Sequence, residues 1–297
     1  MVEVVRTCGE RRNRRYNVSG PAPHRALTCP WVLVHDDAMA PQLEQAVTRL
    51  LEKIVASHRS RFGQYLVGIY LHGSRATGDH GPSSDVDYLV VVEHRLNLDD
   101  KRKLVAELRE LSKCAPAHGI EMSVITRATV RRFRHPAPFE FHFSRDWLER
   151  YDRGHVDLEV SRTDPDLASH VVQTRERGRV LFGEAIESVF PPIDRSYHVD
   201  ATLNDAGWIL KNPGEHPLYT VLNLCRALAV VEEGMTPSKL EAAEWALETI
   251  PAELHSLVRE ASRRYRAGET GDGLDERQLA PFVNYVGDTL GLRDQRQ

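Results

Sequence analysis

The chain is short of cysteine: four residues in 297, Cys8, Cys29, Cys114 and Cys225, with no Cys-x-x-Cys pair and no histidine-spaced cluster. That excludes a disulfide framework and a zinc-ribbon type of site, and leaves reduced, structural thiols. Long hydrophobic runs are missing too. Stretches such as Tyr88 to Val92 fall far short of the roughly 20 apolar residues that cross a bilayer, and no secretory h-region follows Met1. The expected address is the cytoplasm. Basic charge is in deficit, with 39 Lys and Arg against 43 Asp and Glu, and residues 1–25 hold six Arg against two Glu, so the rest of the chain carries −8. Such an acidic body disfavours nonspecific nucleic-acid binding and suits a cationic small-molecule partner.

What is present is an ordinary globular balance, 41% hydrophobic and 28% charged, in a length that accommodates two domains. Arg11, Arg12, Arg14 and Arg15 precede Ser19-Gly20-Pro21-Ala22-Pro23 with no apolar period to pack, so residues 1–34 read as a disordered tail. From Pro41 to Arg59, Leu43, Ala46, Val47, Leu50, Leu51, Ile54 and Val55 recur at helical spacing. Tyr65 to Leu71 and Val86 to Val92 are β-rich runs separated by a polar, glycine-containing loop. Leu98 to Leu111 is a helix, Ile120 to Ile125 a third strand and Asp166 to Arg179 a further helix. Beyond Phe190-Pro191-Pro192 the strand signals stop. Helices are expected at about 199–210, 218–233, 237–249, 252–267 and 277–290, with Gly234 ending one and Thr236-Pro237 starting the next. The division is a mixed α/β domain over 35–192 and an all-helical domain over 193–297.

The chemistry lies in Leu71-His72-Gly73-Ser74-Arg75-Ala76-Thr77-Gly78, followed ten residues after Ser74 by Ser84-Asp85-Val86-Asp87. Side chains alternate along a strand, so Asp85 and Asp87 share a face, and adjacent carboxylates repel unless a cation sits between them. Hard oxygen ligands in this arrangement suit Mg2+, completed by substrate phosphates. The Gly73-Ser74 turn offers N–H groups and a hydroxyl to phosphate oxygens, and Gly73 lets the backbone approach closely. Together they describe a nucleoside triphosphate site. Glu121, on the third strand, is the candidate third carboxylate for a two-Mg2+ or general-base role. Taken singly, a D-x-D pair is often a solvent-facing pair or a cap, a Gly-Ser dipeptide is commonplace, and Glu121 could be an edge-strand acid facing water. The combination carries the reading.

This segment resembles the nucleotidyltransferase superfamily. The resemblance extends through Asp166-Leu167-Ala168, Arg175-Glu176-Arg177-Gly178, Leu181-Phe182-Gly183, Asn223-Leu224-Cys225-Arg226 and Ser238-Lys239-Leu240-Glu241-Ala242-Ala243-Glu244-Trp245-Ala246 to the aminoglycoside adenylyltransferases that act on streptomycin and spectinomycin. It implies a nucleotidyltransferase domain with a mixed, twisted sheet, followed by an all-α helical bundle, with ATP, Mg2+ and the drug in the cleft between them. It also implies that Ser74 and Ser84 contact the triphosphate, that Asp85 and Asp87 hold metal and that Glu121 is the catalytic base. Arg226 and Lys239 are then the cations turned toward the ATP phosphates. Trp147 is the position where the family packs a tryptophan on streptomycin, although the register here is longer by one residue, and Glu215 stands near an acid of the streptomycin-binding members. Other readings are nucleotidyl transfer to another small molecule, a tRNA or a protein, or a catalytically silent nucleotide-binding module. A basic groove would favour a tRNA acceptor, and none shows outside the first 25 residues. A cleft of this kind can work as a monomer.

Overall fold

The computed structural model describes residues 40–82, 84–269 and 274–292, so the expected tail at 1–34, with Cys8 and Cys29, lies outside the described residues. The first half runs α1 (Ala40–Phe62), β1 (Leu66–His72), α2 (Gly73–Thr77), β2 (Val86–Val92), α3 (Leu98–Ser112), β3 (Ile120–Thr126) and α4 (Arg127–Arg131). It continues through β4 (Ala137–Phe139), β5 (Phe141–Phe143), α5 (Arg145–Asp152), β6 (Arg162–Asp164), α6 (Leu167–Arg177), β7 (Arg179–Gly183) and α7 (Ile186–Val189). The second half holds α8 (Arg195–Lys211), α9 (Pro217–Glu233), α10 (Lys239–Thr249), α11 (His255–Arg266) and α12 (Glu276–Thr289).

Five strands form a mixed sheet in the order β5-β3-β2-β1-β7, and β4 pairs with β6 beside it. β2 and β3 run parallel with Asp87 opposite Glu121, while β1 is antiparallel to β2 with His72 opposite Asp87. Both faces of the sheet are covered, which is why its central strands read as continuous apolar runs. Ile69, Leu71, Tyr88, Val90 and Val124 pack against Leu50 and Ile54 of α1 and Leu104 and Leu108 of α3. Tyr70, Leu89, Val91 and Ile125 face Leu167 and Val171 of α6. The alternation that sends Leu89 and Val91 toward α6 sends Asp87 there as well, at the end of the sheet where the apolar packing stops.

The helical part has its own core around α9, where Val221, Leu222, Leu224, Cys225 and Leu228 meet α8, α10, α11 and α12. Two expectations are corrected. The helix expected through Arg179 ends at Arg177, and Arg179–Gly183 is an edge strand paired antiparallel with β1; five residues bounded by two glycines are too short to show a period. Thr236-Pro237 does not start the next helix. Ser238 is the N-cap of α10, in a capping box with Glu241 that satisfies free N–H groups reciprocally. Gly234 does end α9, at φ 64°.

Candidate active site

Strand β1 ends at His72, and the chain turns at Gly73 with φ 67°, a conformation that favours glycine. A Cβ there would be driven into the Asp87 carboxylate. The loop that returns to β2 is fixed from within by Arg75, which is 5% exposed. Its Nε donates to the Asp85 carbonyl at 3.0 Å, and its Nη2 to the Ser84 carbonyl at 2.9 Å. Ser84 Oγ accepts from the Gly81 N–H at 3.0 Å. Ser74 Oγ is buried without a hydrogen-bond partner among the described residues, and the Tyr265 hydroxyl donates to the Asp79 carbonyl of the same loop at 3.1 Å.

Asp85, Asp87 and Glu121 come together: each offers a carboxylate oxygen, and these atoms all lie within 4.8 Å of one another. Burial, then Asp85 and Glu121, hold the Asp87 carboxyl well above the usual carboxylate range. Burial, then Asp85, pushes Glu121 up to about 7. Three crowded carboxylates form an oxygen donor set suited to a divalent cation, whose charge would favour the ionised forms of Asp87 and Glu121. Behind them, His72 is 3% exposed and kept neutral by burial and by His170, whose ring lies 4.8 Å from its own. His170 Nε2 stands 3.9 Å from Glu121 Oε1.

The carboxylates open into a cavity of about 280 Å³ between the sheet end and the helical part. Gly73, Ser74, Arg226 and Lys239 line the same cavity. Lys239 Nζ lies over the Tyr219 and Tyr265 rings at 5.1 and 5.6 Å, and burial, then Arg226, lowers its pKa. Two cations so close together, opposite a Gly-Ser turn, make a charge-complementary seat for a polyanion. The α10 start that carries Lys239 is tied to the sheet part. Ser238 Oγ donates to Asp79 Oδ2, and Arg177 makes a two-pronged contact with Glu241 at 2.8 and 2.9 Å.

The remaining expected residues sit elsewhere. Trp147 lines a second groove, which shares Glu121 and Asp166 with the main cavity. Ser84 stands behind the cavity, holding the loop, and Glu215 is exposed in the turn between α8 and α9, lining neither space. His142 is buried in the groove wall, with Nδ1 2.9 Å from Ser123 Oγ, and Glu140 pairs with Arg95. Sequence reasoning missed Asp166, His170, Asp205, Tyr219 and Tyr265. Asp166 is raised to about 6 by burial first, and burial also raises Asp205 on α8. Their one signal is an acid or aromatic on a helix, which spacing alone cannot distinguish from a surface residue.

A Gly-Ser turn, a carboxylate pair entering a strand and a third acid on the parallel neighbour define a nucleotidyltransferase, and residues 51–151 match the family described as nucleotidyltransferase domain. Residues 188–289 match the aminoglycoside adenylyltransferase C-terminal domain. An aminoglycoside (3'') (9) adenylyltransferase of Escherichia coli is 30% identical over 250 residues, covering 81% of this chain and 93% of that one. A spectinomycin 9-adenylyltransferase of Staphylococcus aureus is 31% identical over 216 residues, covering 71% and 82%. The crystal structure of an Enterococcus faecalis spectinomycin adenyltransferase, determined with ATP and spectinomycin, shares the fold at a TM-score of 0.72 and 23% identity, over 82% of this chain and 99% of that one. The chain belongs to the aminoglycoside adenylyltransferase family, and is an adenylyltransferase.

Proposed function

We propose that this enzyme transfers AMP from ATP to a hydroxyl of an aminocyclitol or aminoglycoside antibiotic, spectinomycin or streptomycin, and releases pyrophosphate. The observation that carries the reading is the meeting of Asp85, Asp87 and Glu121 with Arg226 and Lys239 in one cavity. The triphosphate lies between the Gly73-Ser74 turn and the two cations, whose charges match its own. Asp85 and Asp87, with Glu121 as third carboxylate, would hold Mg2+, which would supply charge neutralisation at the phosphates. The acceptor hydroxyl attacks the α-phosphorus in line and passes its proton to a Glu121 oxygen. The bond from the α-phosphorus to the bridging oxygen breaks, and that oxygen leaves with the pyrophosphate. Asp166 and Asp205 give the acceptor side of the cavity an acidic wall that suits protonated amines. The functional division is 35–192 for nucleotide chemistry and 193–297 for closure over it, and ATP use fits a cytoplasmic address.

The test is pyrophosphate release from ATP with spectinomycin, streptomycin or no acceptor. Release should require a drug, vanish with EDTA and return with added Mg2+. Glu121→Gln should lower turnover by about 10²- to 10⁴-fold, the range for general-base removal. Acceptor-dependent release at the normal rate by Glu121→Gln would remove Glu121 from this role.

A further inference from the structure

The wall that α8 gives the main cavity changes character along the helix. His198, Ala201, Thr202 and Asp205 all line the cavity, and seven residues of helix set His198 about 10 Å from Asp205. The Asp205 end belongs to the carboxylates: Asp205 acts on Glu121, and Lys239 and His170 act on Asp205. At the other end the charges that act on His198 are those of Arg226 and Arg195. Arg195 donates to the Val230 carbonyl at 3.5 Å, so the start of α8 meets the end of α9, and Ala201, Ala227 and Val230 give the cavity small, uncharged walls there. His198 itself is 7% exposed, with Nδ1 3.0 Å from Ser169 Oγ on α6. Burial, then Arg226 and Arg195, lowers its pKa from 6.5 to about 4, so the ring is neutral. Its other nitrogen, Nε2, is buried without a hydrogen bond among the described residues. An unpaired buried nitrogen is a cost to the fold unless a ligand meets it.

We infer that Ser169 and His198 form a nucleoside-reading subsite, in which Ser169 fixes the imidazole through Nδ1 and Nε2 hydrogen-bonds an uncharged atom of the nucleotide donor, on its ribose or its purine edge. The inference rests on the proposed use of ATP. Three ligand chemistries share this cavity, and charge sorts them. Phosphates are drawn to Arg226 and Lys239, and protonated amines of the acceptor to the end held by Asp205 and Glu121. Adenosine carries no charge, and the His198 end offers it small apolar side chains and one neutral hydrogen-bonding nitrogen. Arg226 acts on both His198 and Asp205, so phosphates drawn to it have the neutral end on one side and the acidic end on the other. The serine hydroxyl sets the tautomer: when Ser169 donates to Nδ1, Nε2 carries the proton and seeks an acceptor, and when Ser169 accepts, Nε2 seeks a donor.

The experiment measures KM and calorimetric binding for ATP with Mg2+, and KM for the drug, for the full chain and its His198→Ala, His198→Gln and Ser169→Ala variants. His198→Ala should weaken ATP about three- to tenfold, the scale of one neutral hydrogen bond, and leave the drug KM in place. The decisive arm uses ATP analogues that lack one ribose hydroxyl, lack the exocyclic amine or carry CH in place of one purine ring nitrogen. The analogue missing the recognised atom should bind the wild type about three- to tenfold more weakly than ATP does, and bind His198→Ala as ATP does. Which analogue behaves so assigns the bond to the ribose or to the base, whereas a general loosening of the fold would leave every analogue its penalty. If all the analogues keep their wild-type penalties in folded His198→Ala and His198→Gln, or if the variants raise the drug KM and leave ATP unaffected, the inference is overturned. A wild type that binds ATP and releases no pyrophosphate with either drug overturns the proposed transfer instead, and the binding comparison still decides the role of His198.

Discussion

Gly73→Ala removes no functional group and adds one methyl, which makes it a sharp test of how the carboxylate cluster is held. The backbone at residue 73 has φ 67°, where an L side chain costs about 1–2 kcal/mol. The new Cβ would also enter the space of Asp87 Oδ2. Asp87 cannot simply swing away, because it enters the sheet between His72 and Glu121 and is walled in by both neighbours. The carboxylate must shift by an amount on the order of 1 Å, and a displacement of that size at a reacting centre costs about 100-fold in rate. The stability loss corresponds to a Tm lowered by about 2–8 °C for a chain of this size. The assay pairs thermal unfolding with acceptor-dependent pyrophosphate release, using Gly183→Ala as control. Gly183 is also at positive φ, 100°, and a Cβ there would strike the Val67 carbonyl, away from the cavity. The control should lose stability and keep its kcat in the folded fraction. If Gly73→Ala keeps more than half the wild-type kcat, the close approach of the turn to Asp87 is not what fixes the cluster.

Arg177→Ala breaks the tie to Glu241 and loosens the α10 start that presents Lys239. Both partners are partly exposed, so stability should change by less than about 1 kcal/mol; KM for ATP should rise several-fold at saturating acceptor, and an unchanged KM would show that α10 holds its place without Arg177. His58 is fully buried with Nε2 3.1 Å from the Tyr88 hydroxyl, and burial lowers its pKa from 6.5 to about 4. Between those values the unfolded chain holds more protons than the folded one, so stability falls as pH drops through the window, by about 2 kcal/mol at pH 5. His58→Leu should flatten that part of the pH profile of urea unfolding, and an equally steep profile would assign the acid sensitivity to other groups. Lys239→Gln should raise KM for ATP at least about tenfold, since a charged hydrogen bond to phosphate is worth about 1.5–3 kcal/mol, and a wild-type KM would place the triphosphate away from α10.

The nucleotide end of the site was legible in sequence because its geometry is local. A strand delivers Gly73, residues 74–84 return the chain to Asp85, and period-two alternation puts Asp85 and Asp87 on one face. Glu121 needed one further step, the pairing of β2 with β3, and the parallel register places it opposite Asp87. Arg75 was written in the same motif and passed over, because its work is to hold carbonyls of its own loop, a role that composition does not mark. The far wall of the cavity and the groove beside it are different in kind. Asp166 caps the start of α6, Asp205 lies on α8, and Trp147 and Arg162 line the groove from α5 and β6, four elements that meet only after the chain has folded. None carries a fixed spacing to the others, so each charge reads locally as a surface residue.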